Sequence, residues 1–302
     1  MKETVQMPTA TVTSNPPPAG AERASGAPAK AKLWWGLLYA VLIVYAVVTF
    51  LPFLWAVSTS FKTLQEVSHR PTALIPDQPT LEAYRLIFSR SGLFLRWFFN
   101  SVVVAVGVVT LGLLFNSMAG YALARIPFFG RRFWFWFVLV SLMIPSQVLI
   151  VPKYLIMRDL GGLNTHWGLI VPSAVNATWV FMMRQFFLNF PRELEEAAAL
   201  EGLNRFQTFF RVVLPLAKPA LAAQAMFLFI GAWNEFMWPL VITSEQSMYT
   251  LPVGLTAFRS EYYTFWNVVM AASMVFTLPS LILFIAFRRY FMEGITLGAV
   301  TE

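Results

Sequence analysis

Two groups of residues in this chain have the types and spacing for more than packing. The first lies between Pro191 and Pro215, a charged stretch set between two strongly apolar segments. Glu193, Glu195, Glu196 and Glu201 bring negative charge there. Ala197, Ala198 and Ala199 bring a surface with almost no side chain, which another protein's backbone could approach closely. The second group is polar but sits inside apolar segments: Asn116 and Ser117, Asn176, Gln224, and the run Trp233-Asn234-Glu235. A polar group in such surroundings is costly unless it finds a partner or lines a wet cavity. Each is therefore an interhelical tie or part of a path for a polar solute. Enzymatic chemistry has little to draw on: there is no cysteine, and His69 and His166 are far apart in sequence. Neither metal-ligand spacing nor a phosphate-binding G-x-x-x-x-G-K-[ST] motif occurs.

The first group needs rigid local structure, and the sequence around it supplies the signals. Pro191 suits the first position of a helix, where its missing N–H is not required. Glu193, Glu195 and Glu196 fall in the opening turns, where the helix dipole favours negative charge. Gly202 supplies a stop, Asn204 can cap a second short helix, and Pro215 ends that one. The expected result over residues 190–216 is helix, tight turn, helix.

The elements that position both groups are membrane spans. The chain is 58% hydrophobic and 12% charged, with a mean hydropathy of +0.62, whereas soluble domains average about 45–50% apolar and about 25% charged. Six segments reach the roughly 20 apolar residues that cross a bilayer: Leu33–Thr59, Trp97–Leu123, Phe133–Val151, Trp167–Leu188, Pro219–Ile242 and Phe265–Phe287. The first is too long and too far from the terminus to be a cleaved signal. Residues 1–32, with Pro16-Pro17-Pro18 and no apolar periodicity, read as a disordered tail. Residues 33–302 then form one all-α membrane domain of six helices. With the N-terminus inside, the inner segments carry 14 of the 22 Lys and Arg residues, which puts both termini and the 190–216 loop on the cytoplasmic side. The net charge of +7 flanks spans and forms no clustered basic face, which argues against nucleic-acid binding. The long loop from Ser60 to Arg96 lies outside and includes a short helix over Thr80–Phe88, capped by Thr80.

The spacing in the charged loop resembles the EAA loop of ATP-binding-cassette (ABC) importer permeases. Glu196-Ala197-Ala198 is followed after three residues by Gly202, and after nine more by Val212-Val213-Leu214-Pro215, with Val212 in place of the commoner Ile. Further features follow in the order of the MalG-type permeases of carbohydrate importers. Tyr121 to Arg125 (YALAR) closes the second span and Phe129-Gly130-Arg131-Arg132 opens the third. NTHWGLIVP from Asn164 leads into the fourth span, and Arg184-Gln185-Phe186-Phe187 leaves it. GAWNEF from Gly231 lies in the fifth, and YTLPVGL from Tyr249 follows outside. Glu201 stands where the family usually has Asp, which keeps the charge.

The resemblance implies the type I importer architecture in a bacterial or archaeal cytoplasmic membrane. It implies pairing with a second, homologous permease, two ATPase subunits that hold the ATP and Mg, and an extracytoplasmic sugar-binding protein. No cofactor is expected on this chain. Glu193, Glu196, Ala197, Ala198, Glu201, Gly202, Leu214 and Pro215 correspond to the coupling loop that docks on the ATPase. The cargo implied is a disaccharide or oligosaccharide, moved by alternating access. An importer for a non-sugar solute and a self-contained secondary transporter are the alternatives. Phe206, Phe209 and Phe210 either brace the loop against the membrane body or anchor it at the interface. Asn116, Asn176, Gln224, Trp233, Asn234 and Glu235 are the candidates for the solute path. Trp233 would offer a stacking face, with interhelical ties as the other reading. Pro145, Pro172, Pro239 and Pro279 mark kinks within spans.

Overall fold

The computed structural model describes residues 29–89, 92–258 and 264–299. The expected disordered tail thus lies outside the described residues except for 29–32, which begin the first helix. The chain forms two compact units, residues 1–53 and 54–302. Helix α1, Ala29–Ser60, contains the boundary. In the first unit the large side chains from Leu33 to Leu51 are exposed. A helix that is apolar all round needs lipid or a protein partner around it.

Two short helices open the second unit, α2 (Leu64–His69) and α3 (Glu82–Ser89). Thr63 and Thr80 each accept a backbone N–H at the start of their helix, from Glu66 (3.2 Å) and Glu82 (3.1 Å). Helix α4, Leu93–Arg125, follows as an unbroken rod of 33 residues. After it come α5 (Arg131–Leu142), α6 (Ile150–Asp159), α7 (His166–Ala174) and α8 (Ala177–Leu188). The polar loop contains α9 (Arg192–Leu200), α10 (Arg205–Thr208), a wider π turn over Phe209–Val213, and α11 (Leu214–Leu216). The chain continues with α12 (Lys218–Asn234), α13 (Met237–Ile242), α14 (Leu251–Gly254) and α15 (Trp266–Ala299). Among the described residues there are helices and turns but no strands.

Three of the six expected spans are not single helices. Phe133–Val151 breaks after Leu142, where Pro145 cannot continue the helix, and the chain bends by 101° into Ser146–Asp159. Trp167–Leu188 is interrupted at Val175 and Asn176, three and four residues after Pro172. Pro219–Ile242 is interrupted at Glu235 and Phe236. Helix α15 continues through Pro279 without a break. By length and composition three helices can cross a membrane alone, at Leu33–Ser60, Leu93–Arg125 and Trp266–Phe287. Two sharply bent pairs raise the number to five.

Helix α4 is the axis of the second unit, and its glycines explain how neighbours approach it. A Cβ on Gly112 would stand 2.8 Å from Leu228 Cδ1 and 3.0 Å from the Ala174 carbonyl oxygen. One on Gly120 would stand 2.7 Å from Met183 Cβ and 2.8 Å from the Arg184 nitrogen. Small residues at such crossings let membrane helices pack backbone to backbone. Apolar clusters bind α4 along its length. One joins Phe94, Trp97, Trp233 and Leu251 near its start, and another joins Tyr121, Met183, Phe187, Phe209 and Val213 near its end.

Candidate functional site

The 190–216 loop has the expected helix, turn, helix form, with differences in detail. Pro191 is the residue before α9 rather than its first helical position, with φ −58° and ψ 128°. Gly202 adopts the left-handed conformation, φ +80°. Its N–H donates to Ala199 O (3.0 Å) while that of Leu203 donates to Ala198 O (3.0 Å), a closure that favours glycine. Asn204 and Gln207 then form a reciprocal capping box, 2.9 and 3.0 Å. Pro215 does not end the second helix. It lies in the first turn of α11, whose bonding follows the π turn, and the chain bends by 80° only between Leu216 and Lys218.

On this loop Glu193, Glu196, Ala197, Glu201, Gly202 and Pro215 are exposed, and Leu214 is half-buried. Ala198 is buried and faces the chain itself, so the approachable alanines are Ala197 and Ala199. Leu200, 90% exposed, and Phe206, 63% exposed, add apolar side chains. Phe209 is buried against Tyr121 and Phe187, with ring centroids 5.1 and 6.4 Å away, and braces the loop on α4 and α8. Phe206 instead lies tilted against Phe210, ring centroids 4.6 Å apart, at the surface.

The sequence reading named Glu195 for its charge and Arg125 as the end of YALAR but did not pair them. The Arg125 guanidinium, 7% exposed, lies 3.4 Å from the Glu195 carboxylate and also donates to the Phe190 carbonyl oxygen. It thereby ties both the entry to α9 and its first turn to the end of α4. The YALAR segment, which ends in Arg125, was the available signal.

The second group divides sharply. A cavity of about 600 Å³ opens where the broken helices meet, and of the six candidates only Asn176 and Glu235 line it. Asn176 caps α8, accepting the Thr178 N–H at 2.8 Å. Glu235 caps α13, its Oε1 accepting the N–H groups of Met237 (3.0 Å) and Trp238 (3.1 Å). Asn116 is fully buried off the cavity. Its Nδ2 donates to Ala174 O (3.1 Å) and its Oδ1 accepts the Asn176 N–H (3.1 Å), which satisfies the backbone that the break frees. Ser117 donates to carbonyls of its own helix, at Leu113 and, 3.1 Å away, Leu114.

Trp233 offers no stacking face. It is fully buried between Phe229 and Phe276, with centroids 5.5 and 5.7 Å away, and its Nε1–H donates to Phe276 O at 3.0 Å. Asn234 bonds back to Ile230 O (2.8 Å), and Gln224 is buried with neither amide atom hydrogen-bonded. The cavity wall instead carries Trp179 stacked with Phe227 (5.7 Å) and Lys153, whose ammonium lies 4.2 Å from the centre of the Trp238 ring. Lys153 was missed because the third segment was read as ending at Val151, which left it in a loop. Among the described residues no group of three or more Asp, Glu or His could hold a metal ion.

The arrangement is a braced surface loop with an acidic and apolar face, together with a polar, aromatic cavity at helix breaks. Neither contains a nucleophile–base pair. The chain is similar to several known proteins. The chain is 39% identical over 269 residues to the arabinooligosaccharide transport permease AraQ of Halalkalibacterium halodurans, covering 87% of this chain and 96% of that protein. It is 33% identical over 264 residues to the diacetylchitobiose uptake permease NgcG of Streptomyces coelicolor, covering 86% and 87%. Its fold matches the crystal structure of a bacterial ABC transporter involved in the import of the acidic polysaccharide alginate. That match has a TM-score of 0.79 at 26% identity, over 88% of this chain and all of the other. Residues 112–296 match the family described as the binding-protein-dependent transport system inner membrane component, and the chain belongs to that family.

Proposed function

We propose that this chain is one of two permease subunits of an importer for an oligosaccharide, in a bacterial inner membrane. Six spans, with the third, fourth and fifth broken, put both termini and the 190–216 loop on the cytoplasmic side. The carrying observation is the loop: two short helices joined at Gly202, with Glu193, Glu196, Ala197, Glu201 and Leu200 exposed and Phe209 anchored beneath. A surface so braced transmits a push rather than absorbing it. The pusher is a separate ATPase subunit, which binds the ATP and Mg, since this sequence has no P-loop.

A saccharide cargo is supported by the relatives that carry arabinooligosaccharide and diacetylchitobiose in their names. The cavity supplies matching chemistry. The Trp179–Phe227 stack can receive the apolar face of a sugar ring, while Asn176, Thr178 and Ser173 can meet its hydroxyls. Broken helices suit such a site, because irregular backbone in a membrane is tolerated where it lines a cavity. An extracytoplasmic binding protein delivers the cargo to the opposite face.

The test is uptake of labelled oligosaccharide in cells carrying Glu196→Lys or Gly202→Pro. Both variants should abolish uptake while the protein stays in the membrane, because the lesion is at the ATPase joint. Normal uptake by either would overturn the assignment of the loop.

A further inference from the structure

Helix α4 holds the backbone of other segments at both ends. Near its start, Arg96 Nε donates to Ser247 O (2.9 Å) and Trp97 Nε1 to Gln246 O (2.7 Å). Asn100 Nδ2 donates to both Ser247 O (2.9 Å) and Tyr249 O (3.0 Å), and Ser101 Oγ accepts the Leu251 N–H (2.7 Å). Residues 96, 97, 100 and 101 share one helical face, so one stripe of side chains clasps the segment 246–251. Asn100 is 2% exposed, and its Oδ1 accepts from His166 Nε2 at 3.0 Å.

At the other end Arg125 holds Phe190 O and Glu195, and Gly120 lets α8 approach α4 at backbone distance. The two clasps are 25 residues apart, about 37 Å along a helix that rises about 1.5 Å per residue. Between them α4 has no break, in contrast to the segments around the cavity.

We propose that α4 is a transmission strut, in which Arg125 with Glu195 and Asn100 act as positioning residues that link the ATPase-facing loop to the opposite-face segment 246–251. The reading rests on the importer assignment, which makes the two ends the sites of ATPase and binding-protein docking. A rigid element can carry displacement between sites this far apart only if it is fixed at both. Buried polar clasps serve that end because slippage would leave carbonyls and a guanidinium unpaired.

The experiment uses the whole complex, purified from its native membrane with its ATPase, partner permease and binding protein and placed in vesicles. ATP hydrolysis is measured with and without cargo-loaded binding protein. Stimulated hydrolysis by the wild type is required by the importer reading, and its absence there would defeat that reading, not the strut. Asn100→Ala should reduce the stimulation at least fivefold while basal hydrolysis stays within twofold, although the residue is far from the ATPase-facing loop. Glu195→Gln should do the same from the other end. The pair Val106→Gly with Thr110→Gly softens the middle of α4 at exposed positions and touches neither clasp. It too should lower stimulation selectively. Unchanged stimulation in the glycine pair overturns the strut, as does parallel loss of basal and stimulated hydrolysis in the two clasp variants. If a clasp variant fails to copurify with the ATPase, the glycine pair decides alone. Its own failure to assemble also counts against the proposal.

Discussion

Helix α4 and the helices leading into the breaks, α5, α7 and α12, are comparably apolar in sequence, yet one is continuous for 33 residues and the others end at Leu142, Ala174 and Asn234. Hydropathy therefore does not decide continuity. Partners for the backbone do. Helix α4 carries glycines where neighbours cross and polar side chains that serve other segments' backbone groups. Two of the three broken segments carry their own caps at the breaks, Asn176 and Glu235, which satisfy the new helix starts, while the third breaks at Pro145 without a capping side chain. One region is built for stiffness and the other for a solute.

Two tryptophans put that contrast to its hardest test. Trp233, fully buried in the stack beside α4, should be a stability residue, and Trp233→Ala should cost about 3–5 kcal/mol. Trp179, on the cavity wall, should behave oppositely: Trp179→Ala should lower uptake severalfold with little change in the melting temperature of the complex. Thermal unfolding and uptake measured on both variants decide the matter. A stable Trp233→Ala with impaired uptake would erase the distinction between the regions.

Asn116 joins the two regions, because its side chain stands on the continuous helix and pairs with the backbone on either side of the Val175 break. Asn116→Leu keeps the volume but leaves Ala174 O and Asn176 N–H without that partner. The expected cost is about 1–3 kcal/mol, since an orphaned buried group loses its full desolvation and membrane segments recover part by re-pairing. Hydrogen exchange at Asn176 should accelerate in the variant. If it does not, the break is held by packing alone.

The charged loop was legible in the sequence because its signals are local: Gly202 for a stop, Asn204 for a cap, and a fixed spacing to Leu214-Pro215. The apolar, helical character of the chain was legible from composition. The breaks were not, because a proline marks a possible kink without saying whether neighbours will satisfy the freed groups. Pro145 and Pro279 look alike in sequence, and only the first lies at a break. The inward turn of Trp233, and the ties from Arg125 to Glu195 and from Asn100 to Ser247, depend on partners between 43 and 147 residues away. Only packing reveals those.

The smallest expected effect concerns a second bridge between the regions, His166, which opens α7 and donates from Nε2 to Asn100 Oδ1 on α4. Burial, and then the positive charge of Arg96, hold its imidazole below its ordinary pKa of 6.5. The folded protein therefore disfavours the imidazolium relative to the unfolded chain. The contribution of neutral His166 is fully present above about pH 6.5 and is lost as pH falls through the lower folded value. Melting temperature should accordingly drop more between pH 7.5 and 5 for the wild type than for His166→Gln, which keeps a donor in place but cannot titrate. Parallel drops in the two proteins would show that acid acts elsewhere, and that the clasp at Asn100 does not depend on which form His166 takes.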